Sequence, residues 1–167
     1  MSYRNVIVVL ILLSAAAWWI LHEDPEAEVH SAHQKLTRLL SKTEGEASSS
    51  MIVNARVVQS MFADSCEVTG DAEMLAGSYT PEEMVRTIFQ VQGMFLSIDL
   101  TFQELVIAFP AADDAITNFT AVLVGRSLME GEGEVDAGET REVISRMRKV
   151  EGTWLFTEFN LAKVPEN

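Results

Sequence analysis

Apolar residues run from Val6 to Leu21 with Ser14 as the one polar interruption. Beyond that run the pattern changes twice, first to a helical period and then, from Phe95 onward, to alternation. As a helix the 16 residues of the run would rise about 24 Å, against a hydrocarbon core of about 30 Å. Trp18 and Trp19 close it with side chains that favour a membrane–water interface. Arg4 precedes the run and Glu23-Asp24-Pro25-Glu26 follows it, so the positive-inside rule predicts a cytoplasmic N-terminus and an exported remainder. The alternative is a cleaved signal peptide, with Val6 to Leu13 as its apolar region and cleavage after Ala17 in Ala15-Ala16-Ala17. Cleavage there would leave Trp18-Trp19-Ile20-Leu21 as an apolar terminus, whereas a retained anchor uses those residues at the interface. A buried core helix fits poorly, because the run has no amphipathic face.

Val29, Ala32, Leu36, Leu39 and Leu40 recur at helical spacing, with Glu28, Lys35, Arg38 and Lys42 between and after them, which predicts a first amphipathic helix. Ser48-Ser49-Ser50 offers hydroxyl caps for a second, carrying Ile52, Val53, Val57, Val58, Met61 and Phe62. Asp64 to Val68 is a short loop-rich or strand-like piece. Thr80-Pro81-Glu82-Glu83 is a helix start with a capping box and proline at the first helical position. The third helix it opens presents Met84, Val85, Ile88, Phe89 and Val91 and stops near Gly93.

Ile98, Leu100, Phe102, Val106 and Ala108 then alternate with polar neighbours, predicting a strand with those five on its buried face. Pro110 to Asp114 reads as a turn, Ala115 to Met129 as a second strand, and the acidic, glycine-rich 130–134 as an exposed loop. Thr140 to Val150 and Thr153 to Val164 make a final hairpin across Glu151-Gly152. The fold class expected is α+β, three helices packed on a curved antiparallel sheet of four consecutive strands, behind an N-terminal transmembrane helix. The corresponding domains are residues 1–21 (anchor), 22–28 (linker) and 29–165 (globular domain).

Twelve basic and 25 acidic side chains give a formal charge of −13, and the portion from His22 onward carries −14 once Arg4 is left out. Such a field repels phosphate backbones and anionic headgroups, which excludes nucleic acid as a partner class. Cys66 is the only cysteine, so no intrachain disulfide can form, and in a strand-like context it reads as a small buried apolar residue. The short basic start and the absence of disulfides point to a bacterial inner membrane with the domain in the periplasm.

The helices, Phe62-Ala63-Asp64-Ser65-Cys66-Glu67-Val68, the capped helix at Thr80 and the closing Arg148-Lys149-Val150-Glu151-Gly152-Thr153-Trp154-Leu155-Phe156 hairpin together resemble the nuclear transport factor 2-like (SnoaL-like, cystatin-like) superfamily over Val29 to Val164. The resemblance implies a strongly curved mixed sheet wrapping a long helix into a cone with a cavity at its open end, and often a homodimer. It leaves function open, since the cone carries isomerases, dehydratases and hydrolases as well as binding modules. No catalytic motif of a particular subfamily is present to be carried over.

Period-2 alternation puts Arg146 and Arg148 on one face of their strand and Trp154, Phe156 and Glu158 on one face of the next. If both faces look inward, a basic pair, an acid and two aromatics form a pocket for a carboxylate-bearing or aromatic ligand. If one face is solvated, Glu158 instead pairs across the ladder with an arginine. Catalytic candidates are Asp64, with Glu67 and Asp71 nearby, then Tyr79 at the third helix start, and Glu158. Each also has a plain role: hydration or capping for the carboxylates, and a staple against Met84 for Tyr79. His30 and His33, with Glu26 and His22, have metal-like spacing on the first helix, but no further ligand cluster accompanies them and no metal or cofactor is expected. Asn118-Phe119-Thr120 matches a glycosylation sequon inside an expected strand.

Two functions remain. One is a membrane-anchored module that binds an envelope protein or a small ligand without catalysis. The other is an isomerase or hydrolase of a small apolar substrate. An acid or base inside an apolar cavity separates them, because only catalysis requires one.

Overall fold

A computed structural model describes residues 24–45, 48–72, 74–127 and 136–163. The expected anchor, its alternative cleavage site and the acidic loop lie outside these residues. Among the described residues no helix is long and apolar enough to cross a membrane.

Helix α1 (Pro25–Leu40) starts where Asp24 accepts hydrogen bonds from the backbone N–H groups of Glu26 and Ala27, so the expected linker at 22–28 passes into helix at Pro25. Its inner stripe is Val29, His33 and Leu36, all buried. Helix α2 (Ser48–Gln59) leads into strand β1 (Phe62–Gly70), followed by the short β2 (Gly77–Tyr79). Helix α3 (Pro81–Gly93) has the predicted capping box, with Thr80 and Glu83 each bonding the other's backbone N–H. Four long strands complete the chain: β3 (Phe95–Ala111), β4 (Asp114–Ser127), β5 (Asp136–Val150) and β6 (Thr153–Lys163).

The sheet is mixed rather than antiparallel, and it has six strands in the order β2-β1-β6-β5-β4-β3. β1 runs parallel to β6 and antiparallel to β2. The piece expected at Asp64 to Val68 is therefore part of a full nine-residue strand. Its signature in the sequence is faint because the register slips between Phe62 and Glu67, so the buried residues Phe62, Cys66 and Val68 do not alternate evenly.

Two more irregularities redirect side chains. In β3 the register with β4 shifts between Gln103 and Val106, where Glu104 has φ 55°. Ile98 is buried and Leu100 and Phe102 face the same side, but beyond the shift Ile107 packs against the core while Val106 is 65% exposed. The expectation of one buried face from Ile98 through Ala108 is corrected at that bulge. In β6 a second shift lies opposite Arg146 and Met147, which pair with Glu158 and Phe156. Trp154 and Phe156 face the core before it, and Phe159 and Leu161 after it. The Glu151-Gly152 turn is as predicted, with φ values of 51° and 81° that suit a two-residue hairpin.

α1 is fixed to the β5–β6 hairpin by Glu28, whose carboxylate accepts from Trp154 Nε1 at 2.8 Å and Lys149 Nζ at 2.9 Å. At the end of β1, Gly70 (φ 107°) lies so close to β6 that a Cβ there would stand 1.9 Å from the Leu161 carbonyl oxygen.

Candidate functional site

The inner face of the sheet, α1 and α3 line a partly open cavity of about 280 Å³. Leu36 and Leu40 contribute from α1, Met84, Ile88 and Val91 from α3, and Phe102, Phe119, Val143, Phe159 and Leu161 from the strands. The apolar stripes of two helices and the inward half of a curved sheet leave this space because most of the large side chains stack around its wall. Phe102 and Phe119 lie 4.4 Å apart by ring centroid, and Phe156 stacks on Phe159 at 5.1 Å. Among the described residues the only polar ones in the lining are Tyr79, Thr87 and Gln92. Tyr79 donates its hydroxyl to the Leu75 carbonyl at 2.9 Å, and Gln92 Nε2 donates to the Leu39 and Leu40 carbonyls.

No carboxylate, imidazole, guanidinium, ammonium or thiol of the described residues lines the cavity. Of the catalytic candidates only Tyr79 lies there. Asp64 and Glu67 belong to β1 and line no part of it, and Asp71 accepts from the Lys163 backbone N–H at 3.1 Å. Glu158 is outside the cone, 3.1 Å from Arg146, because the β6 bulge turns it away from the face of Trp154 and Phe156. Arg148 is also outside, paired with Asp114 at 3.1 Å. Trp154 and Phe156 are buried in the core. The basic pair and the aromatics are thus on opposite faces of the sheet and form no common pocket.

Behind the wall sits a polar cluster that sequence spacing marks only as half of a histidine pair. His33 Nδ1 donates to the Val29 carbonyl at 2.8 Å, which leaves Nε2 as an acceptor within reach of the hydroxyls of Thr117 (3.0 Å) and Ser145 (3.1 Å), one of which donates to it while the other donates to its fellow hydroxyl. The two hydroxyls are 2.7 Å apart, and all three residues are buried. Phe102, Phe119 and Phe156 present edge-on contacts to the imidazole. Burial lowers the His33 pKa to about 4, outweighing the Val29 hydrogen bond that favours the charged form. A serine hydroxyl against an imidazole is the pairing of a nucleophile with its base, but a serine with no exposed surface and no opening to the cavity cannot meet a substrate. The cluster holds α1 against β4 and β5. His30, almost a turn away, is exposed, so the pair shares no site. The signal for His33 in the sequence is its place on the stripe of Val29, Leu36 and Leu40.

No protein-family model and no curated protein sequence matches the chain. Solved structures do. A candidate scytalone dehydratase of Novosphingobium aromaticivorans DSM 12444 is 14% identical with a TM-score of 0.65, covering 84% of each chain. Hexachlorocyclohexane dehydrochlorinase LinA-type3 of Novosphingobium barchaimii LL02 is 16% identical with a TM-score of 0.64, over 81% of this chain and 84% of its own. An NTF2-like protein with a cystatin-like fold, from Novosphingobium aromaticivorans, is 10% identical with a TM-score of 0.63, over 99% of this chain and 92% of its own. The chain has the NTF2-like, cystatin-like fold. At these identities the likeness is one of fold alone.

Proposed function

We propose that this domain binds a compact, apolar small molecule in its cone without transforming it. The observation that carries the reading is a cavity of about 280 Å³ walled by aliphatic and aromatic side chains, with no carboxylate or imidazole of the described residues in its lining. That is roughly twice the ~150 Å³ space known to hold benzene, which suits a bicyclic ligand. Proton-transfer catalysis needs a positioned group within hydrogen-bond reach of the reacting atom, and the Tyr79 hydroxyl is already committed to the Leu75 carbonyl. The dehydratase and dehydrochlorinase neighbours favour an enzyme, and an elimination would require a base that no described residue of this lining supplies.

The test is titration with N-phenyl-1-naphthylamine, an uncharged probe whose fluorescence rises on leaving water. Saturable enhancement is expected, and it should vanish in Ala121→Phe, which places a ring in the cavity from β4 while leaving the His33 cluster intact. No enhancement with the native protein, or enhancement unchanged by Ala121→Phe, would overturn the reading.

We also propose that residues 6–21 tether the domain to a bacterial inner membrane with the cone in the periplasm, supported by their apolar run and the flanking charges. Recovery of the full chain in the soluble fraction after cell breakage would overturn it.

A further inference from the structure

Beside the cavity stands one buried donor without an acceptor. Arg141 follows the inward phase of β5, two residues before Val143, and is paired across the ladder with Ala121 of β4. Val143 and Ala121 both line the cavity, and so does Leu123, which is paired with Glu139. Directly opposed residues have Cβ atoms roughly 5 Å apart, so the Arg141 backbone adjoins the cavity wall, while its guanidinium is drawn to Glu139 and is not part of the lining. Its Nε and Nη2 donate to the same Glu139 oxygen, at 2.7 and 2.5 Å. Its Nη1 is buried and has no hydrogen-bond partner, the only such side-chain atom among the described residues.

A buried donor left unpaired is unfavourable by roughly 1–3 kcal/mol, so something must compensate or the group is waiting for a partner. The charge of Arg141 is already met by Glu139, and the chain as a whole is strongly acidic. An incoming anion would therefore meet repulsion and compete with Glu139 for a satisfied cation. What the site lacks is one neutral acceptor. We infer that the ligand of this cavity is an uncharged carbonyl compound, a ketone, ester or lactone, whose apolar body fills the cone and whose oxygen accepts from Arg141 Nη1 once the guanidinium turns from beside the wall toward the cavity. The inference rests on the apolar-binding reading and specifies its ligand. It also gives Arg141 a role in selectivity rather than in bulk affinity, since the hydrocarbon wall would hold any ligand of suitable shape.

Three naphthalenes of nearly the same shape test this by isothermal titration: 2-ethylnaphthalene, 2-acetylnaphthalene and 2-naphthoate. The ketone should bind about tenfold more tightly than the hydrocarbon, from one hydrogen bond to a charged donor, and 2-naphthoate most weakly. In Arg141→Met, which keeps the apolar stem, the ketone's advantage should disappear while the affinity for 2-ethylnaphthalene stays within twofold, which also shows that the variant is folded. Arg141→Lys should restore part of the preference. Equal affinities for ketone and hydrocarbon in the native protein, a preference that survives Arg141→Met, or tightest binding of the anion would each overturn the assignment of a neutral carbonyl. Failure of all three to bind would overturn the cavity reading itself along with it.

Discussion

Lys42 and Gln92 close the ends of each other's helices. Lys42, just beyond α1, donates its ammonium to the carbonyls of Gln92 in the last turn of α3 (3.0 Å) and of Phe95 at the start of β3 (2.8 Å). The Gln92 amide donates to the Leu39 and Leu40 carbonyls at the end of α1, at 3.0 and 3.1 Å. Helix C-termini carry carbonyls without intrahelical partners and a partial negative charge, so a buried amide and an ammonium are suitable complements. Because α1 and α3 both wall the cavity, this exchange fixes its width. Gln92→Leu preserves apolar bulk but orphans two carbonyls, and should destabilise the domain by about 1–3 kcal/mol in urea unfolding. Arg86→Ala, on the exposed side of the same helix, should change stability by less than about 0.5 kcal/mol.

His33 makes the fold acid-sensitive over a definite window. In the unfolded chain an imidazole takes up a proton near pH 6.5, whereas burial holds this one neutral in the folded state down to about 4. Below 6.5 the unfolded state binds the extra proton, so stability falls as pH drops from 6.5 to 4. The total is roughly 3 kcal/mol, and none of it is lost well above 6.5. At pH 5 the loss should be about 2 kcal/mol. Urea unfolding of the native protein and of His33→Gln at pH 7.5 and 5.0 isolates this group from the carboxylates, which titrate in both. The native protein should lose about 2 kcal/mol more than the variant, and equal losses would show that His33 is not held neutral by burial.

The helices are legible in the sequence because their signals are local. The Thr80 box, Pro25 and Pro81 at the helix starts, and the Val29–Leu36–Leu40 stripe each act within one to three turns. Strand faces beyond a bulge are not legible, because a single inserted residue reverses every later side chain and leaves no mark in the apolar count. That is why alternation alone assigns Val106 to the core, and Glu158 to the face of Phe156. The cavity is illegible for a related reason: its lining comes from many separate elements that only the register brings together. The parallel pairing of β1 with β6 joins chain segments about ninety residues apart, beyond any periodicity.

The arginine pair on the outer face gives its own prediction. Arg146 and Arg148 form exposed ion pairs with Glu158 and Asp114. Exposed pairs of this kind contribute about 0–1 kcal/mol, since water already solvates both partners and ordering the side chains costs entropy. The double substitution Arg146→Ala with Arg148→Ala should leave the affinity for the naphthylamine probe within twofold and lower stability by less than about 1.5 kcal/mol. A tenfold loss of probe affinity would return these residues to the binding site.

Cys66 reports on the β1 junction, where the chain departs most from an antiparallel design. It is buried in β1, opposite Tyr79 of β2, while the following residues pair with β6. Burial, with a smaller contribution from the Glu158 charge, pushes its thiol pKa up to about 12. Thiol reagents attack the thiolate, so the folded protein should be inert to Ellman's reagent at pH 8 for as long as β1 stays between its neighbours. One equivalent should react promptly in denaturant. Intermediate urea concentrations then discriminate between two kinds of opening. If β1 and β2 unfold only with the rest of the sheet, the labelling midpoint coincides with the exposure of Trp154 seen by fluorescence. If the parallel edge opens first, labelling precedes that change. Gly70, pressed against the Leu161 carbonyl, and the Asp71 hydrogen bonds to β6 bind the edge firmly, and coincident midpoints are expected.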